Sequence, residues 1–176
     1  MTGRVSLRRM FFISGIAMLS FMLLMKKAVI PLTTGDIVQL ELAKNTERAM
    51  DIIAEWSLSP DNKMEKAFRA IQLDFIFIIL YTAFFYLGTR FMGNLAENPV
   101  WKKAGRFFSL LVIVAALCDV VENLTMLQTL SGQYTKWGIR LTYDMAVIKF
   151  SLLMIAAFFI MIGFVIWVTK KPGRNS

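Results

Sequence analysis

Four apolar runs, each close to the ~20 residues a helix needs to cross a hydrocarbon core, constrain this chain more than any other feature. They cover roughly residues 10–32, 71–92, 107–127 and 145–169, and the middle pair read IQLDFIFIILYTAFFYLGTRFM and FFSLLVIVAALCDVVENLTML. In lipid a backbone must satisfy its own donors and acceptors, so such runs are helices rather than isolated strands. Two of the three connections are short, which implies neighbouring antiparallel helices. Composition agrees: of 176 residues, 57% are hydrophobic and 18% charged, against about 25% charged in a soluble domain. The expected fold is an all-α membrane protein, a four-transmembrane-helix bundle forming one integral domain over 1–176.

Charge orients the bundle. Arg4, Arg8 and Arg9, then Arg90, Lys102, Lys103 and Arg106, then Lys170, Lys171 and Arg174 fall on one side, with Glu97 the acid among them. The opposite side, 33–70 and 128–144, holds seven basic and eight acidic residues. The positive-inside bias makes the first side cytoplasmic, with both termini inside. Trp101 and Trp167 fall near the inner interface and Trp137 and Tyr143 near the outer one, as an aromatic belt requires. The arginines ahead of the first run resemble the front of a signal peptide, but no small-x-small cleavage site follows, so a retained anchor is expected. The net charge of +8 serves orientation and attraction to the anionic lipid bilayer, and needs no nucleic acid to explain it.

Residues 33–70 form the outer segment. Val38, Leu42, Ala49, Ile53 and Trp56 recur at helical spacing among charged residues, which predicts an amphipathic extracytoplasmic helix between spans one and two. Thr34 or Asp36 can cap its start, and Ser59-Pro60-Asp61-Asn62 ends it. From Lys63 the chain is expected to run straight into the second span. Such a helix packs over the mouth of the bundle or lies on the lipid surface. A functional alternative makes it a lid or docking face.

Lys26, Lys27, Asp74, Asp119, Glu122 and Lys149 fall within the apolar runs. Each costs about 2.5–3.5 kcal/mol near a helix centre, so such residues face the bundle interior and pair. At about 1.5 Å of rise per residue, Asp74 and Lys149 lie roughly 5 Å inside the outer ends of their spans, Glu122 about 8 Å and Asp119 about 12 Å. All six thus belong to the outer half of the bilayer. Asp119, Glu122 and Asn123 share one helix face, and Tyr81 lies two turns below Asp74 on another. The candidate ligand-binding cluster is therefore Asp74, Tyr81, Asp119, Glu122, Asn123 and Lys149. In it Lys149 would hold an anionic group, and the carboxylates would bind polar groups or relay protons. The competing reading is an ion-pair network, three acids against three lysines, that only fixes the helices.

The strings LDFIFIILY, CDVVENLTML and VIKF, with LELA and IIAEW in the outer segment, resemble motifs of a family of small, functionally uncharacterised bacterial four-span inner-membrane proteins. The likeness covers roughly 36–155. It implies a bacterial inner-membrane protein, whose recurring polar positions correspond to Asp74, Asp119, Glu122, Asn123 and Lys149.

Absences narrow the chemistry. One cysteine, Cys118, cannot make disulfides by itself and reads as a small packing residue. Without histidine there is no bis-His haem, no di-iron Glu-x-x-His site and no His-based zinc site. Lysines beside the carboxylates argue against a tight Ca²⁺ or Mg²⁺ site. No metal and no cofactor are expected, and familiar redox or hydrolytic catalysis is disfavoured. The leading expectation is a non-enzymatic inner-membrane protein that binds a small amphipathic or lipid-like ligand, or a membrane protein partner, through the outer-leaflet polar site. The alternatives are a membrane enzyme using Asp119 and Glu122 as acid and base on a lipid-like substrate, and a purely structural subunit. A binder or enzyme should have a cavity beside Asp119 and Lys149. A structural protein should pair those groups directly, and a docking subunit should expose Ala115, Ala116 or Ala156, Ala157.

Overall fold

A computed structural model describes residues 2–95 and 98–169, with side chains from Ser6 onward. Glu97, Lys170, Lys171 and Arg174, and the side chain of Arg4, which the charge argument used, lie outside the described residues. Among the described residues the chain is all-helical: α1 (Thr2–Ala28), α2 (Thr34–Glu41), α3 (Thr46–Leu58), α4 (Lys63–Gly93), α5 (Pro99–Leu130) and α6 (Lys136–Thr169). Four of these, α1, α4, α5 and α6, are long and apolar enough to cross a membrane.

Local chemistry sets the boundaries. Thr33 caps α2 through a reciprocal box: its hydroxyl accepts from the Asp36 N–H, and the Asp36 carboxylate accepts from the Thr33 N–H at 2.7 Å. That backbone bond holds the Asp36 carboxyl below its usual range. Asn45 caps α3 by accepting from the Arg48 N–H. At α5, Asn98 accepts from the Val100 N–H, and Pro99 takes the first helical position, where a missing N–H is tolerated. Gly132, with φ +81°, turns the chain just past α5 in the left-handed conformation that a side chain would resist.

The sequence pattern predicts one outer helix; the chain makes two. The caps at Thr33 and Asn45 start separate helices, so the stripe drawn through both is broken at Leu42, which is exposed. Instead α2 buries Leu40 and Glu41, and α3 buries Ala49, Ile52 and Trp56. Ile53 is only half-buried. The run from Lys63 into the second span is one continuous helix.

The long helices run antiparallel in chain order. Between α4 and α5, Asp74 meets Asn123 and Tyr81 meets Asp119, while Gly93 lies against Gly105. Between α5 and α6, Thr125 meets Thr142 and Phe108 meets Phe159. Phe11 of α1 stacks on Phe84 of α4 with centroids 5.0 Å apart. Apolar packing concentrates at the two ends. One cluster joins α2 and α3 to the bundle through Leu40, Trp56, Ile71, Met126 and Ile139. The other gathers Phe11, Phe91, Met92 and Phe159 at the opposite end, where Trp101 donates to the Met92 carbonyl at 2.9 Å. Burying apolar side chains in this way contributes roughly 1.5–3 kcal/mol each relative to water, but within lipid the gain comes from close packing instead. The polar residues fall between these two clusters.

Candidate functional site

Lys149 is the centre of the site. It projects from α6 and is 5% exposed. Its Nζ donates to Asp119 Oδ1 and to Glu122 Oε1, each at 2.9 Å. Glu122 Oε2 is as close, at 2.9 Å, yet makes no hydrogen bond, so the contact there is electrostatic alone. The helical spacing of Asp119 and Glu122 is what brings two carboxylates from one α5 face onto a single ammonium. The other oxygen of Asp119 accepts from the Tyr81 hydroxyl of α4 at 2.7 Å. Asp119 thus links three helices. One layer away, Asn123 donates to Asp74 Oδ2 at 2.7 Å, joining α5 to α4 again.

All six candidate residues therefore meet in one connected neighbourhood, as two hydrogen-bonded groups. Lys26 and Lys27 do not join it; they are exposed in the last turn of α1, where cations favour the negative end of the helix dipole. The balance of three acids against three lysines is therefore replaced by a different one.

The residue missed by sequence reasoning is Glu41. It ends α2, is 7% exposed, and brings Oε2 to 3.7 Å from Lys149 Nζ. Its carboxyl also comes within hydrogen-bonding reach of Glu122, a bond that requires a proton on one of the two. Burial is the main influence pushing the Glu41 carboxyl above its ordinary range; Lys149 opposes the shift and Asp119 adds to it. The available signal is a glutamate set directly between Leu40 and Leu42. A single continuous helix places that glutamate on the charged face, which hides it.

Three carboxyl groups, Asp119, Glu122 and Glu41, thus surround one lysine, with Asp74 a layer away on Asn123. Glu41 Oε2 and Glu122 Oε2 are both buried without a hydrogen bond. The ammonium has three protons, two of which are used by Asp119 and Glu122. Three carboxylates already crowd Lys149, so an anionic group brought there would meet their repulsion. Among the described residues no group of acids or thiols is arranged to hold a metal ion.

The sizeable described cavities lie elsewhere in the bundle, lined by residues other than Asp119, Glu122 and Lys149. Near the cluster lies a void of about 10 Å³, between Leu40, Met126 and Thr142, about one water's worth of room. Of the small residues considered for helix docking, Ala115 and Ala156 are wholly buried inside the bundle, Ala116 is half-buried and Ala157 faces outward. Cys118 is a partly buried free thiol.

No family model matches this chain, and neither a curated protein nor a solved structure does. The functional reading therefore rests on the residues themselves.

Proposed function

We propose that this chain is a non-enzymatic inner-membrane binding protein whose acid-rich polar cluster takes the head of a small amphipathic molecule, one that is cationic or rich in hydrogen-bond donors. The observation that carries the reading is the excess of acid: three carboxyl groups converge on Lys149, with Asp74 one layer away on Asn123. Fixing helices requires one carboxylate per lysine. Each further buried carboxylate costs several kcal/mol unless it is protonated or paired. A donor group entering between Glu41 and Glu122 would fill the two buried oxygens that lack a hydrogen bond. Because the cluster is closed, entry requires α2 and α3 to part from the bundle and carry Glu41 with them. The asymmetry of basic residues supports placing both termini in the cytoplasm and the cluster in the outer leaflet.

The test is mass spectrometry of small molecules and lipids that co-purify with the wild type and with a folded Glu41→Gln, Glu122→Gln variant. It is paired with thermal melts in a neutral detergent, with a long-chain primary amine or the fatty acid of equal length added. A species enriched on the wild type, with stabilisation by the amine that the variant lacks, supports the reading. Equal profiles and no selective stabilisation overturn it.

A second reading, an interhelical staple with no ligand, is favoured by the direct 2.9 Å contacts of Lys149. It is the reading that equal profiles would leave standing.

A further inference from the structure

At the opposite end of the bundle from Lys149, two cavities adjoin along the seam of α1, α4 and α6. The first, of about 570 Å³, is lined by Arg8, Arg9, Asn94 and Trp167, among others, and no acid stands among its described lining residues. The second, of about 520 Å³, is an apolar groove that opens toward lipid between Phe12, Gly15, Leu19, Phe84 and Ala157. Side chains join the two. Arg8 lies with its guanidinium carbon 5.2 Å from the Trp167 ring and 6.0 Å from the Phe12 ring. The Trp167 ring lies 5.6 Å from that of Phe164, which lines the groove.

The geometry points to a binding site for an anionic glycerophospholipid, its phosphodiester head among Arg8, Arg9 and Asn94 and an acyl chain in the apolar groove. Three features select this occupant. The polar compartment is cationic, and arginine suits phosphate because its planar fork of donors matches two oxygens at once. Stacking on Trp167 holds Arg8 in place while its N–H edges remain available. From Phe12 to Leu19 the groove runs roughly 10 Å along α1, much of the ~15 Å hydrocarbon depth of one leaflet. Gly15 keeps the floor of that groove low: a Cβ there would come within 3.0 Å of the Phe84 ring. Basic pockets between helices with an apolar channel beneath are where anionic headgroups lodge. This site is independent of the Lys149 cluster.

The test uses the full chain, delipidated in a neutral detergent, with native mass spectrometry comparing phosphatidylglycerol and phosphatidylcholine of identical chains. The expected result is a preference for the anionic lipid of about tenfold or more, at about fivefold per arginine. It should be erased in an Arg8→Gln, Arg9→Gln variant that still binds phosphatidylcholine. Ala157→Phe, which fills the groove, should weaken both lipids and keep their ratio. No preference in the wild type overturns the proposal without recourse to any variant. So does a preference that survives loss of both arginines, or an Ala157→Phe variant that binds both lipids as before. Inorganic phosphate is the remaining arm; if it displaces the lipid and stabilises the protein equally well, the site is for a bare anion and the proposal falls.

Discussion

The Glu41 carboxylate lies 3.7 Å from the Lys149 ammonium, so a helix outside the apolar spans contributes a charge to their interior. Docking of α2 and α3 is thereby tied to protonation. The groups facing Glu41 are Lys149 on α6, Asp119 and Glu122 on α5 and, further off, Asp74 on α4. A carboxyl raised on docking binds its proton more tightly in the docked state. Its contribution is fully present below its ordinary value of 4.5 and is lost as pH rises through the raised one. Amide hydrogen exchange across 34–58 should therefore show faster opening as pH climbs above the ordinary carboxyl range, after correction for intrinsic exchange. Glu41→Gln should flatten that dependence. An identical pH profile in wild type and variant would show that Glu41 does not couple α2 to the cluster.

Removing the lysine should do more harm than removing one of its partners. Lys149→Met strands three buried carboxyl groups, and breaking a buried ion pair from one side costs about 3–5 kcal/mol. Thermal melts in detergent should show a large drop for Lys149→Met, partly recovered when Asp119→Asn and Glu122→Gln are added. No recovery would mean that the lysine stem, packed in the bundle, matters more than its charge.

Tyr81→Phe isolates one bond. The ring stays, while Asp119 Oδ2 loses the 2.7 Å hydrogen bond from the hydroxyl. A buried acceptor left short of a donor costs about 1–3 kcal/mol. The loss should shrink in an Asp119→Asn background, because the two changes act on one contact. Strict additivity between them would argue that the bond contributes nothing of its own.

The long helices are legible in the sequence because twenty apolar residues admit few alternatives, and helical spacing alone puts Asp119, Glu122 and Asn123 on a shared face. Which charges meet is less legible. Periodicity assigns Lys26 and Lys27 to a span, but where α1 stops decides whether they point inward, and it stops at Ala28. Glu41 is hidden for a related reason. A capping box at Thr33 and a second cap at Asn45 divide the outer segment, and dividing it rotates α2 so that Glu41 faces the bundle. Pattern reading over one continuous helix averages across that break. The cavities at the Arg8 end escape it altogether, since they arise where three separated stretches leave a gap.

The closest backbone approach gives the most direct packing test. Gly93 of α4 and Gly105 of α5 lie so near that a Cβ on Gly105 would stand 2.7 Å from the Gly93 Cα and 2.7 Å from the Thr89 carbonyl oxygen. Both obstacles are backbone, so no rotamer change relieves them and the helices must separate. Small residues allow such contacts between membrane helices, where tight packing takes over the role that water exclusion plays elsewhere. Gly105→Ala should therefore destabilise the protein by about 1–3 kcal/mol, the usual range for overpacking, despite alanine's better helix propensity. Gly35 in α2 supplies the control. A Cβ there meets only the Thr33 hydroxyl at 3.5 Å, an ordinary contact, so Gly35→Ala should be neutral or gain up to about 1 kcal/mol from propensity alone. Melting both variants beside the wild type in one detergent separates the cases. Equal stability of Gly105→Ala and wild type would mean that α4 and α5 can spread at this crossing without loss, and that the polar contacts at Asp74 and Asp119, rather than the glycine contact, hold the pair together.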